Sequence, residues 1–157
     1  MRFDIKPYRG ALPITFGMSR DKVRLLIGQP DSSFPIWDSS GVTENYKRDK
    51  FNVGYTNAGI VNHLGFSPGG AELAIIGQPI WAKGEYPDPN PTLLALDPSP
   101  FEVVGFWLFL TIGITTTGYH DDESSQQAVT VFPLDSQVEL VATAKLADIS
   151  RYCSKSS

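Results

Sequence analysis

Only one cysteine, Cys153, occurs among the 157 residues. A lone thiol cannot close an intramolecular disulfide, so no framework of staples holds the fold, and a reducing, cytoplasmic setting is the expectation. Long hydrophobic runs are missing as well. None approaches the ~18 residues that a membrane-crossing helix needs, so no membrane is expected as a partner. The opening residues MRFDIKPYRG hold no apolar stretch of the kind that begins a secretory signal, and nothing there marks the chain for export. Charged residues are sparse at 19%, yet hydrophobic residues reach 41% and aromatics 11%, too many for a disordered tail. A chain this long buries about 69% of its extended surface on folding, enough for a core without metal. What is plentiful is punctuation: Gly 14 and Pro 12 imply many turns between short elements.

Charge is divided by region. From Met1 to Gly65 nine basic residues face six acidic ones, a balance of +3. From Phe66 to Ala144 Lys83 stands alone against ten carboxylates, a balance of −9, and the tail from Lys145 returns +2. So acidic a stretch repels nucleic acid, whose phosphates demand Lys and Arg, and no nucleic-acid partner is expected. It suits a basic protein partner instead, because complementary fields speed encounter and fix register.

Elements follow from periodicity and caps. Ser19 is placed to cap a helix running to Ile27, Asp21 suits its positive end, and Gly28 with Pro30 ends it. Val23, Leu26 and Ile27 form the expected inner stripe, so truncating Leu26 to Ala should cost ~2–5 kcal/mol. Phe51, Val53 and Tyr55 alternate as a half-buried strand, Thr56-Asn57-Ala58-Gly59 turns, and Ile60 to Phe66 returns. Glu44 to Lys47 and Leu73 to Ile76 read as further strands. A second helix begins at Asn90, read as a cap, with Pro91 behind it, and stops near Asp97-Pro98. Val103–Leu110, Ile112–Tyr119 and Ala128–Phe132 read as three strands rich in Val, Ile, Thr, Phe and Trp. Ser136-Gln137-Val138-Glu139 is a capping box for a last helix with Val138, Ala142, Leu146 and Ile149 inside. The predicted fold is a single α+β domain over residues 1–157: an antiparallel sheet with short helices packed on one face. Two tandem helix-plus-meander halves, at about 14–80 and 90–150, are a further option. The four residues Ile-Gly-Gln-Pro recur at 27–30 and 76–79, too short a match to argue from.

Catalytic templates fail on their own chemistry. Gly65-Phe66-Ser67-Pro68-Gly69 matches the G-x-S-x-G elbow of hydrolases, with His120 downstream. The oxyanion hole there needs the backbone N–H of the residue after the serine, and Pro68 has none. His120-Asp121-Asp122-Glu123 gathers metal-ligating types, but four consecutive loop residues cannot converge on one ion and no second cluster completes a shell. His63 reads as a hydrogen-bonded strand histidine. No Walker loop and no dinucleotide-binding G-x-G-x-x-G occurs. The expectation is a protein without catalytic residues, metal or cofactor.

Phe16-Gly17-Met18-Ser19, the helix with Val23, Leu25 and Leu26, and then Gly28-x-Pro30 resemble the opening of a bacterial family of small α+β domains. Tyr55, Gly59-Ile60-Val61, Phe66, Leu93-Leu94, Asp97, Gly105-Phe106, Phe109 and Ile112-Gly113-Ile114 continue the likeness from about Ile14 to Phe132. Lys22 stands where the family often has Glu, which leaves the capping box incomplete. Proteins of this look are often immunity proteins of polymorphic toxin systems. The helix-plus-meander unit is also similar to the small outer-membrane assembly lipoproteins and to the tandem β-lactamase inhibitory protein. The resemblance implies a cytoplasmic protein that neutralises a cognate bacterial toxin domain by steric occlusion. Trp81, Tyr86 and Tyr119 are the expected aromatic anchors, with Glu85, Asp88, Asp121, Asp122 and Glu123 as the acidic surround of a basic partner. A non-catalytic scaffold or small-ligand-binding domain is the alternative, and a hydrolase with an unrecognised site is a third.

Overall fold

A computed structural model describes residues 1–36, 38–85, 87–103, 105–134 and 144–153. Along these residues run β1 (Arg2–Lys6), β2 (Gly10–Leu12), β3 (Ile14–Thr15), α1 (Arg20–Ile27), β4 (Ser32–Pro35), β5 (Gly41–Tyr46), β6 (Phe51–Thr56), β7 (Val61–Phe66), β8 (Glu72–Ile75) and β9 (Gln78–Trp81). Then come α2 (Asn90–Leu96), β10 (Phe101–Val103), β11 (Phe106–Phe109), β12 (Ile114–Thr117), β13 (Ala128–Val131) and β14 (Lys145–Leu146). Single 3-10 turns lie at Ser124–Gln126 and Ser150–Tyr152. A nine-stranded sheet takes the order β14-β10-β11-β12-β13-β7-β6-β5-β4, and a five-stranded sheet the order β3-β2-β1-β8-β9. This is an α+β fold with antiparallel meanders, as the sequence predicts. In the large sheet a helix followed by a four-strand meander occurs twice, from α1 through β7 and from α2 through β13.

Strand periodicity divides the large sheet into two unlike faces. Successive register partners Tyr46, Phe51, Phe66, Val129, Thr116 and Trp107 form one row, and every member is buried. The adjacent row, Asn45, Asn52, Gly65, Thr130 and Thr115, points the other way. The small sheet covers the inner face: the Phe3 ring of β1 meets Phe51 at 4.7 Å and Phe66 at 5.0 Å. Val103, Leu108 and Phe132 form a second, smaller cluster at the β10–β11 end, with Tyr8 and Ala144 packed on it.

Helix α1 begins as predicted, with the Ser19 hydroxyl accepting from the Lys22 amide at 3.2 Å, and closes at Gly28. Its docking face differs from the expectation. Val23 is its buried residue, whereas Leu26 is 44% exposed and Leu25 84%. The inward stripe is Arg20, Val23, Arg24 and Ile27, and both guanidinium groups converge on Glu44 of β5, whose side chain is fully buried. Arg20 Nε donates to Glu44 at 2.8 Å and Arg24 Nε at 3.2 Å. A reading that counts apolar positions alone assigns the stripe to Leu26 because it cannot see that two arginines face a buried carboxylate.

Other expectations are corrected as well. Leu73 to Ile76 is not part of the meander; β8 pairs in parallel with β1, some seventy residues away in sequence, and β1 to β3 were not foreseen. Val103 to Leu110 is two strands, since Val103 pairs directly with Phe106, and Gly105 before it takes φ +87°. Asn90 does not cap α2. It is the helix's first residue, the Asp88 carboxylate accepts from its amide at 2.9 Å, and its side chain turns inward. The capping box at 136–139 lies outside the described residues. Leu146 belongs to β14, paired with Phe101 and two-thirds exposed, and Ile149 precedes a 3-10 turn, so neither lies on a helix. The two Ile-Gly-Gln-Pro copies share no structure: one ends α1 and the other turns from β8 into β9.

Two outcomes test this packing. Val23→Ala should cost about 2 kcal/mol and Leu26→Ala less than about 1 kcal/mol in urea midpoints, reversing the order that the apolar pattern implies. Burial opposes ionisation of Glu44, but the hydrogen bonds and charges of Arg24 and Arg20 outweigh it and hold its pKa below the ordinary 4.5. Its stabilisation is therefore complete above about pH 4.5 and is lost as pH falls through the depressed native value. Glu44→Gln should cost about 3 kcal/mol at neutral pH, the low end for a broken buried pair because the arginines can rehydrate, and should flatten the acid limb of the stability curve.

Candidate partner-binding surface

Trp81 and Tyr119, expected as surface anchors, are core residues. Trp81 is 1% exposed and its Nε1 donates to the Pro87 carbonyl at 2.7 Å; Tyr119 is 5% exposed. A large ring next to a charged loop in sequence looks available, but both belong to segments that close over the sheet's inner face. Tyr86 lies outside the described residues. Glu85, Asp88, Asp121, Asp122 and Glu123 are all exposed, as their type and loop setting suggest.

Three of these residues meet at the C-terminal 3-10 turn. The Arg151 guanidinium donates to the carbonyls of Tyr119 at 3.1 Å and His120 at 2.7 Å, and pairs with Asp122 at 2.9 Å. The Tyr152 hydroxyl donates to Asp88 and accepts from Asn90 Nδ2 at 3.1 Å. Asn90 Oδ1 in turn accepts from Thr116 Oγ1 at 2.8 Å, so a buried polar chain ties α2 to β12 and to the C-terminal turn. Burial and the Asp88 hydrogen bond push the Tyr152 phenol up to about 12, and burial raises Tyr119 further, so both stay protonated at neutral pH. These acidic residues thus serve partly as structural partners. Asp121 and Glu123 make only short-range bonds within their own loop, to the Glu123 amide and the Ser125 hydroxyl.

The Ser67 amide donates to the Lys50 carbonyl at 2.9 Å, and the His120 ring stacks on Trp107 at 5.3 Å. Among the described residues no group of three His, Cys, Asp or Glu side chains stands where it could hold a metal ion. No described helix is long and apolar enough to cross a membrane.

The surface that sequence reasoning missed is the outer face of the large sheet. Its outward positions are Thr43 and Asn45 on β5, Asn52 and Gly54 on β6, His63 and Gly65 on β7, Ala128 and Thr130 on β13, and Thr115 and Thr117 on β12. Burial holds the His63 imidazole below its ordinary pKa, so at neutral pH the whole floor carries no charge. The His63 ring lies across Gly54, where an added Cβ would come within 1.7 Å of it, and that glycine keeps the face flat. Phe34, paired with Thr43, stands at its edge 51% exposed. The available signal was the polar residue interleaved with each buried aromatic: Asn45 before Tyr46, Asn52 after Phe51 and Gly65 before Phe66.

Charge is confined to the rim. The 47–50 turn, with Lys47, Arg48 and Lys50, and the 118–127 loop, with Asp121 to Glu123, leave the same end of the sheet. Three strand spacings separate them, about 14 Å. No protein-family model, no curated protein and no solved structure matches the chain.

Tyr152→Phe should cost about 1–2 kcal/mol, because it strands the buried Asn90 carboxamide donor without replacing its partner. Thr116→Val should cost a similar amount. The double variant should fall short of the sum in a denaturant-based cycle, since both act through Asn90.

Proposed function

We propose that this chain is a non-catalytic binding domain of the toxin-immunity type, which neutralises a cognate protein by covering its working surface. The observation that carries this reading is the uncharged, flat and open outer face, built on a hydrogen-bonded platform whose other side is the core. Centres of protein interfaces are depleted in charge and anchored by aromatics, the pattern of this floor with Phe34 at its edge. Six adjacent strands, β4 to β7 with β13 and β12, offer a footprint of roughly 500 Å². A standard interface takes about 800 Å² from each partner, so the rim loops take part as well. The resemblance of Phe16 to Pro30 and of the hairpin that follows to immunity proteins supplies the partner class. The carboxylates at Asp121 to Glu123 favour a basic toxin domain, and the separated basic and acidic rims favour a single docking register.

The test is to seek a toxin-like domain encoded beside the gene, co-express it with this chain and measure binding kinetics on the purified pair. A stable one-to-one complex is expected. Phe34→Ala should weaken it at least about tenfold, chiefly through dissociation, while Leu25→Ala on the opposite side leaves it unchanged. Neutralising Asp121, Asp122 and Glu123 together should slow association and flatten its salt dependence. Absence of a complex, or equal effects of the Phe34 and Leu25 substitutions, would overturn the reading.

A further inference from the structure

The turn between β5 and β6 bounds a concavity of about 290 Å³ at one corner of the outer face. Asn45, Lys47, Lys50, Asn52 and Ser67 line it, together with Tyr46 and Phe51. The polar residues among them carry two ammonium groups, two carboxamides and a hydroxyl, each able to donate hydrogen bonds. Gly65 beside it keeps the space for the Asn52 amide, because an added Cβ would stand 2.8 Å from its Oδ1.

Two carboxylates lie near the hollow, each with a partner of its own. Asp49 faces the N-terminal ammonium at 3.6 Å, and Asp31 accepts from the backbone amide of Lys47 at 2.7 Å. Among the described residues neither Lys47 nor Lys50 forms an ion pair. Two lysines thus border a hollow whose lining includes no carboxylate.

We propose that this corner binds the phosphate group of a small phosphate monoester. Lysines act as compact point charges with rotatable donors, which suits a tetrahedral dianion, whereas the planar fork of arginine suits a carboxylate. The volume is at the lower limit for small-molecule sites, with room for a phosphate and a few further atoms. A nucleic-acid backbone is disfavoured, because the Asp121 to Glu123 loop stands about 14 Å along the same rim and repels a polyanion. The corner shares Asn45, Asn52 and the 47–50 turn with the face proposed to meet the toxin, but phosphate binding is read on the free chain, so either can fail without the other.

Amide NMR spectra of the whole chain, titrated at constant ionic strength with methyl phosphate, test it. Acetate and dimethyl phosphate serve as the carboxylate and diester probes. Saturable shifts confined to residues 45–52 and 67 are expected with methyl phosphate, at about millimolar half-saturation. They should strengthen between about pH 5.5 and 7.5 as the second phosphate proton leaves near pH 6. The Lys47→Gln/Lys50→Gln double variant, with its remaining spectrum unchanged, should lose at least about tenfold in affinity. Equal binding of acetate or of dimethyl phosphate would overturn the assignment. So would shifts shared with Lys22 and Lys83, or a double variant that binds as well as the parent.

Discussion

Three register pairs, Phe66 with Val129, Gly65 with Thr130 and Leu64 with Val131, join the last strand of one meander to the last strand of the other. Without that seam there are a four-strand and a five-strand ribbon, each with an open edge and a face too small to bury. With it, the aromatic row from Tyr46 to Trp107 is continuous, and one core serves both meanders. The seam also sets the outer face, because fixing the inward row at two-residue period fixes the outward row beside it.

Cover for the inner face arrives in pieces, and polar groups hold two of them. Helices of eight and seven residues are too short to persist alone in water. Each is anchored by a fully buried polar side chain at its contact with the sheet: Glu44 beneath the arginines of α1, and Asn90 of α2 against Thr116. The central piece is apolar, with Phe3 of the small sheet set into the Phe51–Phe66 pair. A buried carboxylate is satisfied only when both guanidinium groups reach it, so the α1 anchor demands a single docking position in a way that aliphatic contact alone does not.

From β12 to β5 the sheet is covered on one side only, and this has a chemical consequence. Charge that would be costly against the core is also absent from the open face and gathers instead on the loops at one end. The face therefore combines a neutral floor with a basic and an acidic rim about three strands apart. That division of roles, shape and hydrogen bonding in the middle with fields at the edge, underlies both the proposed protein complex and the proposed phosphate corner.

Local chemistry alone determined a good deal. The Ser19 cap and Gly28 stop of α1, the Thr56–Gly59 turn, the alternation of Phe51, Val53 and Tyr55, and the α+β class all follow from interactions within a few residues, which short-range patterns encode. The exposure of the Asp121 to Glu123 loop was legible for the same reason. Only the tertiary structure decided the rest. The parallel pairing of β8 with β1 joins segments that share no local signal, and the split at Gly105 hid inside an unbroken apolar run. The inward turn of Arg20 and Arg24 depends on a glutamate twenty or more residues away, and the burial of Trp81 and Tyr119 depends on which face the small sheet and the C-terminal turn cover. The neutral outer face is a property of six strands in register, and no single strand displays it. Period-two alternation says that each strand has two sides; only the packing of distant segments decides which side meets the core and which is left for a partner.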